Sequence, residues 1–183
     1  MTTKDIVYVA LFAALTAALG VFPPITIPAF GVPITAQSMG LMLAGGILGA
    51  KRGAFSMLLF LGLVAIGLPL LSGGRGGLGV FAGPSGGFLV GWIISAFAIG
   101  FLTEKYWDKL NVILAALICV GGGIVLLYAI GIPWVAFAAK IPLSKAFFGS
   151  IAFVPGDLIK AGVAAAVIIT VKRSYPLLSR QPG

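Results

Sequence analysis

Val112 to Ile130 reads VILAALICVGGGIVLLYAI, an apolar run that no charged residue interrupts. A helix crossing the hydrocarbon core of a bilayer needs about 20 predominantly apolar residues, and this run supplies one such span. The pattern repeats on both sides of it. Ile6–Phe22, Gln37–Ala50, Ala54–Leu71 and Phe88–Thr103 precede it as apolar runs, and Ile151–Val171 follows. Of the 183 residues, 60% are apolar and 9% are charged, against roughly a quarter charged in an average soluble domain. The mean hydropathy is +1.17. A water-soluble globule of this size could not cover its surface with polar groups. The runs also lack the apolar–polar alternation of barrel strands. The expected architecture is therefore all-α and membrane-integral, with six transmembrane helices in a single bundle over residues 1–183 and no second domain.

The joins between runs carry the remaining information. Ile6–Phe22 follows Lys4 as a signal peptide would, but it is long for that role and reads as a retained helix. Phe22–Thr35, FPPITIPAFGVPIT, holds Pro23, Pro24, Pro28 and Pro33 and is expected to be irregular. Irregular backbone cannot face lipid, so this stretch should lie on protein or at the water boundary. Ser72–Gly87 is a glycine-rich loop, Glu104–Asn111 a charged loop, and Gly131–Ser150 a longer connection. With six spans, Lys4, Lys51, Arg52, Lys105, Lys109, Lys172, Arg173 and Arg180 share one side, and Arg75, Lys140 and Lys145 lie opposite. The positive-inside rule then puts both termini in the cytoplasm. No convincing internal repeat suggests two inverted halves.

Counting removes several classes of function. There is no His, and the single Cys119 lies in an apolar run, so metal sites, an intrachain disulfide and His-assisted nucleophiles all lack their groups. No phosphate-binding G-x-x-x-x-G-K-[ST] run occurs. The net charge of +8 comes from residues that punctuate apolar runs, as loop anchors do, and does not indicate nucleic acid. No cofactor is expected.

The last run holds the main anomaly. Asp157 and Lys160 lie inside it at i, i+3, on one helix face. A charge near the bilayer centre costs about 2.5–3.5 kcal/mol on insertion scales, and such residues usually face a bundle interior or a watery cavity. Either the two form a self-satisfied ion pair joining helices, or they form a ligand site opening to the outer face. In the second reading Lys160 binds a carboxylate and Asp157 accepts from N–H donors of an amide or ureido group. Apolar neighbours would bury the rest of the solute. Gln37 in ITAQS offers a donor and an acceptor, or is an interfacial polar residue. Arg75 in the glycine loop would attract an anion, or be solvated. Ala10, Ala14 and Ala18 place small residues four apart, a surface for close helix packing within the bundle or against a partner.

Three runs together resemble the biotin-specific substrate-binding subunits of energy-coupling factor (ECF) transporters. They are VPITAQSMGLMLAGGILGAKRG (Val32–Gly53), GGRGGLGVFAGPSGGFLVGW (Gly73–Trp92) and PGDLIKA (Pro155–Ala161). The resemblance implies a six-helix fold in the cell membrane with an outward-facing, high-affinity biotin site. It implies partners as well: a membrane coupling protein and cytoplasmic ATPases, although some members are proposed to work without dedicated ATPases. The substrate subunit would topple in the bilayer to release its cargo. The family's last-helix acid and base map onto Asp157 and Lys160, with the carboxylate on Lys160 and the ureido group on Asp157. Gln37 would be a supporting contact. Ala10, Ala14 and Ala18 match the family's docking motif, and the connection after the first helix its lid. Arg75 interrupts a small-residue run, and Ser85 and Phe88 stand where Thr and Tyr are expected. Two other functions stay open on the residues alone: a small membrane enzyme such as a lipid acyltransferase, and a stand-alone proton-coupled carrier using Asp157.

Overall fold

A computed structural model describes residues 1–26, 33–175, 177 and 178. Helix α1 (Thr3–Ala18) starts at a capping box, in which Thr2 accepts from the Asp5 N–H while the Asp5 carboxylate accepts from the Thr2 N–H at 2.8 Å. It turns Val9, Phe12, Ala13 and Thr16 inward and leaves Ala10, Ala14 and Ala18 exposed. A 3₁₀ turn (Leu19–Val21) follows. The proline-rich stretch is less irregular than expected, because Ile25–Thr26 (β1) pairs antiparallel with Pro33–Ile34 (β2). The lid expected there includes residues 27–32, which lie outside the described residues, as does Arg180.

Helices α2 (Ser38–Leu48) and α3 (Ala50–Ala65) meet at Gly49, whose φ is +86°. That conformation favours glycine. A methyl group at Gly49 would also strike Glu104 Oε1, which accepts from the Ala50 N–H at 3.0 Å and so caps α3. Every residue of α2 from Gly40 to Leu48 is buried. Its 11 residues span about 16 Å, half the thickness of a bilayer core. Helix α2 is thus the centre of the bundle, packed on α1, α3, α5 and α9.

A short helix, α4 (Gly79–Ala82), lies in the glycine-rich loop, and α5 (Gly86–Lys105) follows. Gly100 lets α5 rest on the Gly49–Ala50 corner, where a side chain would overlap backbone atoms. Helix α6 (Val112–Val120) passes through a π-helical segment (Gly121–Leu126) into α7 (Leu127–Ala139). The long connection expected over Gly131–Ser150 is therefore corrected. Helix α7 continues through Pro133 to Ala139, and Leu143–Ile151 forms α8. A proline normally ends or kinks a helix by removing one backbone bond. Here Gly131 fits against the Phe88 ring, Ile132 and Val135 are buried, and Trp134 Nε1 donates to Gly83 O at 2.9 Å. Packing on both sides of Pro133 holds the helix, and an apolar setting gives its backbone no other partners. Helix α9 (Val154–Ser174) closes the bundle, with Pro155 in its first turn.

Among the described residues, four stretches are long and apolar enough to cross a membrane: Thr3–Val21, Gly86–Lys105, Val112–Ala139 and Val154–Ser174. One end of the bundle gathers basic groups. Arg52 pairs with Asp5 at 3.3 Å and donates to Leu177 O at 3.1 Å, and Lys172 donates to Leu110 O at 3.1 Å.

Candidate functional site

The start of α9 and the start of α2 bring the site's charges together. Lys160 Nζ lies 2.7 Å from Asp157 Oδ1. It also donates to Ser38 Oγ at 3.1 Å, and Ser38 Oγ donates to Asp157 Oδ1 at 3.3 Å. The other carboxylate oxygen accepts from the Tyr128 phenol at 2.5 Å. The acid and base therefore do pair with each other, as the helix-joining alternative requires. They are not sealed in, however. Both line a cavity of about 580 Å³, its open mouth included, between the starts of α2, α5 and α9 and the glycine-rich loop. Phe88, Leu89, Trp92, Leu127 and Phe153 form its apolar wall, and Ile34, Thr35, Ser85 and Leu71 complete it. The wall is itself braced, with Trp92 stacked on Phe60 at 5.9 Å and Phe88 edge-on to Tyr128 at 5.8 Å.

Gln37 and Arg75 reach the same cavity but differ in kind. Gln37 is 1% exposed. Its amide donates to Thr16 O at 3.0 Å and to Leu70 O at 2.9 Å. Its oxygen accepts the Ser72 N–H at 2.8 Å and the Ser72 hydroxyl at 3.2 Å. Those four bonds fill the capacity of a side-chain amide. Gln37 thus ties α1 and the glycine-rich loop to the root of α2. Arg75 is anchored through its backbone, which exchanges two bonds with Leu71, and its Nε donates to Ser72 O at 3.3 Å. Burial lowers its guanidinium below the ordinary value, though such a group stays charged in a protein. No carboxylate among the described residues pairs with it.

The cavity's net charge follows. Asp157 and Lys160 cancel, and Arg75 leaves one excess positive charge. A donor–acceptor pair, a spare cation and an aromatic wall suit a small, largely apolar monocarboxylate with a polar head that both gives and takes hydrogen bonds. Asp157 and Lys160 were expected from the sequence at this site, and so were Gln37 and Arg75. Ser38 and Tyr128 were not. A phenol inside an otherwise apolar span is the signal that could have found Tyr128.

Residues 1–177 match a profile of the BioY family. The chain belongs to the BioY family. It is 54% identical to a biotin transporter BioY of Rhizobium etli over 97% of this chain and 98% of that one. It is 46% identical to a biotin transporter BioY of Rhodobacter capsulatus over 97% and 98% of the two chains. A crystal structure of the S-component for biotin from an ECF-type ABC transporter superposes with a TM-score of 0.91, at 36% identity, over 97% of both chains. This member of the BioY family accordingly has the S-component fold.

Proposed function

We propose that this chain captures biotin and carries it across the cytoplasmic membrane as the substrate-specific subunit of an ECF transporter. The observation that carries the reading is the Arg75 guanidinium, which has no carboxylate partner among the described residues, beside the Asp157–Lys160 pair in one aromatic-walled cavity. Biotin supplies the complement: a valerate carboxylate, a ureido ring and an apolar thioether bicycle. The names of the similar proteins support the same cargo.

The bonds already made in the cavity favour one orientation. Lys160 spends two of its three hydrogens on Asp157 and Ser38, and its charge is cancelled. Asp157 has accepted three bonds, two on Oδ1 and one on Oδ2. One donor and one acceptor remain, which match a ureido C=O and N–H. Arg75 keeps an uncancelled charge and a two-pronged fork suited to a carboxylate. This moves the carboxylate from Lys160, where both the residues alone and the family resemblance put it, to Arg75. Gln37 positions the cavity wall.

Six transmembrane helices make up the bundle in this reading, the four long stretches and the shorter α2 and α3, of which α2 reaches only part of the way, with residues 1–183 forming one transmembrane substrate-binding domain. The cavity faces outward, and both termini, with the basic end, face the cytoplasm in accord with the positive-inside rule. The exposed Ala10, Ala14 and Ala18 face docks a membrane coupling protein, which cytoplasmic ATPases drive. Calorimetric titration of the purified protein with biotin tests the proposal. Tight saturable binding at one site is expected, and wild-type protein that gives no heat and no competition with labelled biotin would end it.

A further inference from the structure

We propose that Tyr128 is the positioning residue for Asp157, and that its phenol limits the carboxylate to a single acceptor facing the ligand. The inference rests on the biotin reading above. Tyr128 stands two residues past the end of the π-helical segment Gly121–Leu126. A π turn inserts a residue into the helical repeat and shifts everything after it by roughly 100° around the axis. The glycines there let the segment pack inward. Methyl groups at Gly122 and Gly123 would meet Ile99 and Met42. The shift turns Tyr128 toward α9, 29 residues further on, where its hydroxyl meets Asp157 Oδ2 at 2.5 Å.

The acceptor count gives the consequence. A carboxylate has about four lone-pair positions. Lys160 and Ser38 occupy Oδ1, and Tyr128 takes one position on Oδ2. With the phenol in place the carboxylate cannot swing, and one lone pair points at the cavity. Without it, Oδ2 is free to turn away from a ligand N–H. The ring has a second boundary. On its far side lies an apolar groove of about 1220 Å³, open to the surroundings and lined by Ile124, Ile132, Leu143 and Phe147. Tyr128 is thus the wall between the polar cavity and the lipid-facing groove. Phenylalanine keeps that wall, so Tyr128→Phe removes the hydrogen bond and little else.

The test is a double-mutant cycle on biotin affinity with Tyr128→Phe, Asp157→Ala and the pair, each purified in detergent. Infrared spectra are recorded with and without biotin. Tyr128→Phe is expected to weaken biotin about tenfold, the scale of a hydrogen bond to a charged group. In the Asp157→Ala background the same change should have no further effect. The carboxylate band lost in Asp157→Ala should shift in Tyr128→Phe. Unchanged affinity in Tyr128→Phe, or losses that multiply in the pair, overturns the proposal. If Asp157→Ala binds too weakly to measure, the infrared band decides, and an unmoved band overturns the proposal. Wild-type protein that does not bind biotin sinks the transport reading instead, and the infrared shift still decides the Tyr128–Asp157 link.

Discussion

Gln37 Oε1 accepts both the backbone N–H and the hydroxyl of Ser72, at 2.8 and 3.2 Å. With the two bonds donated by its amide, the side chain braces the cavity floor without a hydrogen to spare. Gln37→Ala should therefore orphan the Ser72 N–H and the Leu70 carbonyl and destabilise the protein by about 2–4 kcal/mol. Thermal unfolding in detergent measures this. An unchanged melting temperature would show that the brace carries no stability.

The Asp157–Lys160 pair separates stability from binding. Lys160→Met alone leaves a buried carboxylate uncompensated and should cost about 3–5 kcal/mol of stability. Asp157→Asn combined with Lys160→Met should recover most of that loss, yet bind biotin no better than either single variant. Recovery of binding along with stability would mean that the pair only joins helices.

Arg75 gives a charge test. Arg75→Gln should weaken biotin by about tenfold or more, the scale of a charge-assisted hydrogen bond. It should leave the affinity for the uncharged amide of biotin nearly as in the wild type. Equal losses for acid and amide would place the carboxylate elsewhere.

Gly49 tests the α2–α3 corner. Gly49→Ala forces a side chain into a φ of +86° and against the Glu104 carboxylate that caps α3. A loss of about 1–3 kcal/mol is expected, read by the melting of the helical circular-dichroism signal. A variant as stable as the wild type would show that the corner relaxes freely.

The outer face of α1 can be altered without touching the cavity. Ala14→Trp points away from the bundle and should leave biotin affinity unchanged. It should reduce co-purification with the coupling protein at least severalfold, because close helix contact needs small residues. Undiminished co-purification would move the docking surface elsewhere.

The membrane character and the Asp157–Lys160 pair were legible because charge is rare in apolar runs, and each departure from the run stands out. Hydroxyls do not stand out in this way. Ser38 is an ordinary residue at the start of a helix, and only the fold brings it between Lys160 and Asp157, more than a hundred positions along the chain. Gln37 was legible as polar, but its saturation depends on Thr16, Leu70 and Ser72, which no local pattern links to it. The helix through Pro133 lies in the stretch expected as a connection, and the packing of Gly131 and Trp134 that keeps it helical is not written in the local sequence. The π segment left no mark beyond three consecutive glycines, which equally suit a loop.

The spare charge on Arg75 has a consequence for movement. An empty cavity presents one uncompensated cation, and moving such a group away from water carries a Born cost. A monocarboxylate seated there is its counter-ion. The occupied protein is then electrically quieter at this end than the vacant one, so any step that draws the cavity toward hydrocarbon is easier with cargo aboard. If biotin seats as proposed above, loading itself would discriminate against idle cycling.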